Sequence, residues 1–92
     1  MNGVVHCKRE SYDVYIGRRT RGFEGSIWRN QFIIGEDGTR EDVINKYRTW
    51  IKSRPDMLAR LSELKGKILG CWCSPKPCHG DVLIELINEA DE

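Results

Sequence analysis

The sequence predicts one α/β domain over residues 1–92, a small single-domain sandwich with a short mixed sheet and about three helices. Three observations carry this expectation. Short apolar runs with a two-residue period open the chain, as half-buried strands require. Longer segments then repeat apolar residues at three- and four-residue spacing, the pattern of helices packed by one face. A buried apolar run returns at 67–73 before a last helical stretch, so strands and helices alternate along the chain.

Residues 4–7 are a short candidate strand, and 12–16 a better one, because Tyr12, Val14 and Ile16 share a face before Gly17 stops the run. From 18 to 37 the chain reads as a loop punctuated by Gly22, Gly25 and Gly35, with 32–34 as a possible short strand. Thr39 is placed to cap a helix whose third position, Asp42, suits the exposed amides and the dipole. Val43, Ile44, Tyr47, Trp50 and Ile51 form its apolar face, and Pro55 ends this helix or starts the next. Ser53 is a candidate cap for a second helix with Leu58, Leu61 and Leu64 as its buried stripe and Gly66 at its end. The last helix runs from about 78 to 90 on Val82, Leu83, Leu86, Ile87 and Ala90.

Charge limits the partners. A net charge of +1 argues against a bulk polyanion binder. The charge is nevertheless uneven: Lys8, Arg9, Arg18, Arg19, Arg21 and Arg29 crowd the first third, whereas Asp81, Glu85, Glu89, Asp91 and Glu92 come after His79 with no Lys or Arg among them. This reads either as one anion-facing side or as a solvated acidic helix. No run approaches the roughly 18 apolar residues of a membrane span, and the first six residues lack the apolar region of a signal peptide. A cytoplasmic protein without a membrane partner is expected. Its four cysteines then read as metal ligands or reactive thiols rather than disulfides.

Three of those cysteines cluster. Cys71 and Cys73 lie two apart on the predicted strand, so their thiols share a side and Trp72 points the other way, to a core or a cover. Ser74-Pro75-Lys76-Pro77 forms a turn that brings Cys78 and His79 back beside the strand end. Three soft thiolates with an imidazole suit zinc, although the spacing differs from the paired Cys-x₂-Cys of zinc ribbons. Cys7 or His6 is a possible extra donor, each also readable as an ordinary buried strand residue. Two other readings stay open: Cys78 as a helix-terminal nucleophile with His79 as base or acid, or four small buried side chains without a ligand.

A ligand pocket is expected where strands end and helices begin. Arg18 comes directly after a strand, with Arg19 beside it, and a guanidinium forks onto phosphate or carboxylate. Trp28 and Phe32 suit stacking on a base or core packing, and Asn30 suits a base edge or the loop's own amides. Gly80 clears the start of the last helix for an anion, unless the Asp81 carboxylate occupies those amides itself. Lys76 is a rim cation.

Tyr-Ile-Gly-Arg at 15–18, Gly-Ser-Ile-Trp-Arg-Asn-Gln-Phe at 25–32, Arg40-Glu41, Cys71-Trp72-Cys73 and Cys78-His79-Gly80-Asp81 together resemble the phage and bacterial domain-of-unknown-function family numbered 4326. The resemblance covers nearly the whole chain. Gln31 stands where that family usually has proline, which leaves the turn before Phe32 less rigid. The resemblance implies a compact α/β domain, frequently phage-encoded, with Tyr15, Gly17, Arg18, Trp28, Asn30, Cys71, Cys73, Cys78, His79, Gly80 and Asp81 gathered in one place. It carries no reaction.

The expected function is a zinc-binding domain holding Cys71, Cys73, Cys78 and His79 on structural zinc. Beside it an Arg18-lined pocket, with Trp28, Asn30, Gly80 and Asp81, would take a nucleotide or nucleic-acid end. One alternative is an enzyme acting on a nucleotide or glycosidic bond through Cys78 and His79 or a metal, with Asp81 as acid or base. The other is a phage protein whose acidic helix, through Glu85 and Glu89, binds and redirects a host protein.

Overall fold

A computed structural model describes residues 3–74 and 76–90. The expected roles of Pro75 in the turn, of Asp91 and Glu92 in the acidic end, and of Met1 and Asn2 lie outside these residues. Three strands, β1 (Gly3–His6), β2 (Val14–Tyr15) and β3 (Ile68–Cys71), form one sheet in the order β1-β3-β2. The domain is the expected α/β layer structure, but its sheet is parallel throughout rather than mixed: Val4 and Val14 flank Leu69 from either side, both strands running with β3. The strands are so short that residues 7–13 can carry the chain back to the starting edge, so both outer strands run with β3, whereas a mixed sheet would need one of them to run against it. The ladders extend past the strands, with the Cys7 amide donating to Cys71 O at 2.9 Å and the Ile16 amide to Gly70 O at 2.9 Å.

Alternation assigns β3 its two faces. Leu69 and Cys71 are buried under the helices. On the other side Gly70 leaves room for the Tyr12 ring, whose nearest atom would lie 2.6 Å from an added Cβ. Trp72 continues that side, edge-to-face with Phe23 at 5.3 Å and with His6 at 5.7 Å. The expected outward turn of Trp72 is therefore toward an aromatic cover, and the indole stays 41% exposed.

α1 (Arg40–Lys52) begins as expected at Thr39. The Thr39 hydroxyl accepts from the Asp42 amide at 3.2 Å and the Asp42 carboxylate accepts from the Thr39 amide at 2.9 Å. This reciprocal cap satisfies two backbone donors that would otherwise lack partners. Thr39→Ala is expected to cost about 1 kcal/mol, read as a lower urea midpoint with an unchanged slope. Val43, Tyr47 and Ile51 are buried against the core, while Ile44 and Trp50 pack at its margin.

The second helix differs from the expectation. Ser53 closes α1 instead of capping a new helix, its hydroxyl donating to Trp50 O at 2.6 Å. The segment then breaks into a single turn, α2 (Pro55–Leu58), and a 3₁₀ turn over Leu61–Leu64. Leu61 and Leu64, three residues apart, eclipse on one side of a 3₁₀ turn and both are buried there. Met57 fills the place expected for Leu58, which is 36% exposed. Gly66, at φ 76°, supplies the left-handed residue before β3. Residues 32–34 are a turn rather than a strand: the Asp37 and Glu36 amides donate back to Ile33 O, and Ile33 and Ile34 are exposed.

α3 (His79–Ala90) buries Val82, Leu83, Leu86 and Ile87, the predicted face apart from the exposed Ala90. It lies beside α1, and Arg48 of α1 grips Glu85 of α3 through two hydrogen bonds of 3.0 and 3.3 Å. Tyr47 crosses under this pair and donates to Trp28 O at 2.8 Å, locking the 18–38 loop to the core. Among the described residues no helix is long and apolar enough to cross a membrane.

Candidate functional site

A parallel sheet gathers its strand ends at one edge, and here that edge meets the start of α3. The result is a cavity of about 370 Å³ bounded by Gly17 and Arg18 after β2, Cys71 to Cys73 at the end of β3, and Cys78 and His79 at the start of α3. The 18–38 loop adds Arg19, Asn30 and Phe32, and α1 adds Arg40 and Val43. This volume falls within the roughly 300–1,000 Å³ typical of small-ligand sites.

The thiols are not equivalent. Cys71 Sγ and Cys78 Sγ lie 3.2 Å apart, both buried. Donation from the Cys78 thiol, then the backbone amides of Ser74 and Cys73, favours a thiolate on Cys71 and pulls it below the ordinary thiol range, against burial. The same hydrogen bond, together with burial, pushes Cys78 up and keeps its proton. Cys78 also sits at the cap position of α3: its sulfur accepts from the Gly80 amide at 3.3 Å, and its own amide donates to Asp81 Oδ2 at 3.0 Å. Negative charge is therefore favoured on Cys71, at the strand end, over Cys78 at the helix terminus.

His79 does not join the sulfurs. Its Nε2 donates to Ile16 O at 2.7 Å, and its ring stands edge-on to Tyr47 at 5.0 Å. Burial, with Arg18 nearby, lowers its pKa to about 4 against the opposing pull of the Ile16 carbonyl and Asp81, so the ring is neutral. This geometry bears on zinc. Two thiolates on one tetrahedral zinc stand about 3.8 Å apart, farther than these sulfurs, while Nε2 is donated to a carbonyl and Nδ1 keeps the lone pair. Among the described residues no group of three His, Cys, Asp or Glu is placed to hold a metal. As placed, the four expected donors do not close on one point, although Cys71, Cys73, Cys78 and His79 all border the cavity. Among the described residues, no hydrogen bond is made between the His79 ring and the Cys78 sulfur.

The other expected ligand residues divide. Arg18 and Asn30 border the cavity. Asn30 is held as part of the wall, its Oδ1 accepting from the Phe32 amide at 2.9 Å and its Nδ2 donating to Val43 O at 3.3 Å. Trp28 is in the core at 3% exposure and belongs to packing. Gly80 is small for the sheet's sake: a Cβ there would lie 2.9 Å from Ile16 Cδ1 and 3.0 Å from Val4 Cγ2. Asp81 occupies the first-turn amide with its own carboxylate, the second of the two roles open to it. Lys76 is exposed and does not border the cavity.

Among the cavity residues without a ligand role in the sequence reading are Arg40 and Trp72. Arg40 opens α1 and donates to Pro77 O at 3.0 Å, which brings its guanidinium to the cavity mouth. Trp72 lines the rim, its Nε1 donating to Tyr15 OH at 2.8 Å, while that hydroxyl donates to Arg18 O at 2.7 Å. Arg40 had a faint signal, as an arginine at the first turn of a helix beside the glycine-rich loop. Trp72 had one in its place between two clustered cysteines.

The sequence model of a family described as "Domain of unknown function (DUF4326)" matches residues 5–89. The chain belongs to the DUF4326 family. Among related proteins, the "Uncharacterized 12.4 kDa protein in nrdA-td intergenic region" of Enterobacteria phage T4 is 38% identical over 90 residues, covering 92% of this chain and 76% of that protein. "Uncharacterized protein R718" of Acanthamoeba polyphaga mimivirus is 38% identical over 89 residues, covering 84% of this chain and 68% of its own. Both relatives are virus-encoded. No solved structure matches the chain. In this DUF4326 domain the motif residues Gly17, Arg18, Asn30, Cys71, Cys73, Cys78 and His79 do meet around one cavity, while Trp28, Gly80 and Asp81 hold the structure behind it.

Proposed function

We propose that the DUF4326 domain binds an anionic small molecule of the nucleotide class in the strand-end cavity. One observation carries this reading: Arg18, Arg19 and Arg40 border the cavity, and no Asp or Glu is among its described lining residues. Asp81, in the first turn of α3, is turned to the Cys78 amide. Three guanidinium groups from two separate segments suit a phosphate chain, which several forked donors can share. Phe32 and the anchored Trp72 add aromatic surface at the same cavity, where a base can lie. Glu85, which the host-protein alternative would need free, is engaged with Arg48.

Calorimetric titration with nucleoside mono-, di- and triphosphates tests the proposal. Phosphorylated forms are expected to bind, and the parent nucleosides to bind far more weakly. Arg18→Ala and Arg40→Ala should each weaken binding at least tenfold, the loss of a charge-assisted hydrogen bond of about 1.5–3 kcal/mol. Equal affinity for nucleoside and nucleotide, or indifference to both arginine substitutions, would sink it.

A further inference from the structure

We propose that Cys71 and Cys78 are a two-electron redox pair acting on a hydroperoxide, with Cys71 as the attacking sulfur and Cys78 as the resolving one. The pairing is geometric. The two sulfurs lie 3.2 Å apart, and closing that gap by about 1 Å makes a disulfide bond length. Both residues border the cavity, so a small oxidant reaches sulfurs that are otherwise buried. Cys73 also borders the cavity but is only half-buried, and Cys7 is buried without bordering it. Among the described residues, the sulfur in contact with that of Cys71 is the one on Cys78.

The neighbours assign the two roles. Amides of Cys73 and Ser74, with the Cys78 thiol, face the Cys71 sulfur and support negative charge there. Cys78, whose sulfur touches that of Cys71, is placed to attack next. The scheme calls on no base from His79, whose Nε2 donates to Ile16 O.

The chemistry balances without a further reactant. The Cys71 thiolate attacks one peroxide oxygen, the O–O bond breaks, and the departing oxygen takes a proton to leave as water or an alcohol. Cys71 is then a sulfenic acid. Cys78, losing its proton, attacks the Cys71 sulfur, and the hydroxyl leaves as water. Two thiols are oxidised by two electrons and the peroxide is reduced by two. The disulfide ties the end of β3 to the cap of α3 and is opened again by a dithiol reductant.

The full chain is treated with equimolar hydrogen peroxide, mapped by peptide mass spectrometry, and then reduced with dithiothreitol. The expected product is a reversible Cys71–Cys78 disulfide. In Cys78→Ser, a dimedone-type sulfenic trap should label Cys71 about tenfold or more above its labelling of Cys78 in Cys71→Ser. Urea unfolding of both variants establishes that they are folded. The unsubstituted chain supplies the disulfide map in any case. A map dominated by Cys71–Cys73 or by Cys7, or stronger labelling of Cys78, overturns the assignment. So does zinc that survives gel filtration and blocks oxidation until it is stripped. The test uses no nucleotide, so its failure leaves the cavity proposal standing, and the reverse also holds.

Discussion

Between pH 7 and pH 4 the unfolding free energy should fall by about 3 kcal/mol through His79 alone. In the fold its pKa is about 4, against an ordinary value of 6.5. Burial is the main cause: a charged imidazole would sit against Tyr47 with little exposure to solvent, and Arg18 adds a repulsive charge. The sign depends on where the proton goes. The folded ring resists protonation and the unfolded ring accepts it, so acid favours unfolding. The contribution is complete above pH 6.5, falls as the pH drops toward 4, and is gone below that. Urea titrations at pH 7, 5.5 and 4 give the slope. His79→Gln, which keeps an amide donor near the Ile16 carbonyl but cannot take up a proton, should flatten it. An unchanged slope in that variant would show that the acid sensitivity belongs elsewhere.

Gly80→Val should be the most damaging single substitution at the site, costing about 3 kcal/mol. The first added carbon alone would fall 2.9 Å from Ile16 Cδ1 and 3.0–3.1 Å from both Val4 methyls. Ile16 is wholly buried and Val4 packs against the same core, so neither has an empty place to move into. Valine is β-branched, so it also loses rotamer freedom in a helix. Urea unfolding checks the cost. Nucleotide titration of whatever folded fraction remains separates this packing role from the ligand contact expected of Gly80, because a packing residue lowers stability and leaves the affinity per folded molecule intact.

Local signals in the chain foretold local structure well. The Thr39–Asp42 cap and the buried faces of α1 and α3 are written in spacing that any window of a dozen residues reveals. Cys71 and Cys78 were expected to meet because a seven-residue return is also short-range. The parts that were not legible depend on distant partners. Nothing near His79 announces that its ring will bond Ile16 O, on another element 63 residues away. Apolar period identified β1 and β2 as strands, but direction depends on which strand they border, and that strand is β3. Ser53 has the chemistry of a cap at either end of a helix, and Pro55 alone does not decide between them. For Trp28 and Trp72 the sequence left core and other roles open for a similar reason: burial of an indole is decided by what covers it.

The strand order also governs how the chain can come together. β1 and β2 do not touch each other within the sheet, and each is held by β3, which comes last of the three in sequence. Until residues 68–71 have emerged from the ribosome, the first two strands have no neighbour to pair with, and the arginines and thiols around the cavity have no common wall. Assembly is thereby deferred until β3 is available. The long span to be closed at that moment costs entropy before any pairing repays it, so sheet and cavity should arise in one concerted event.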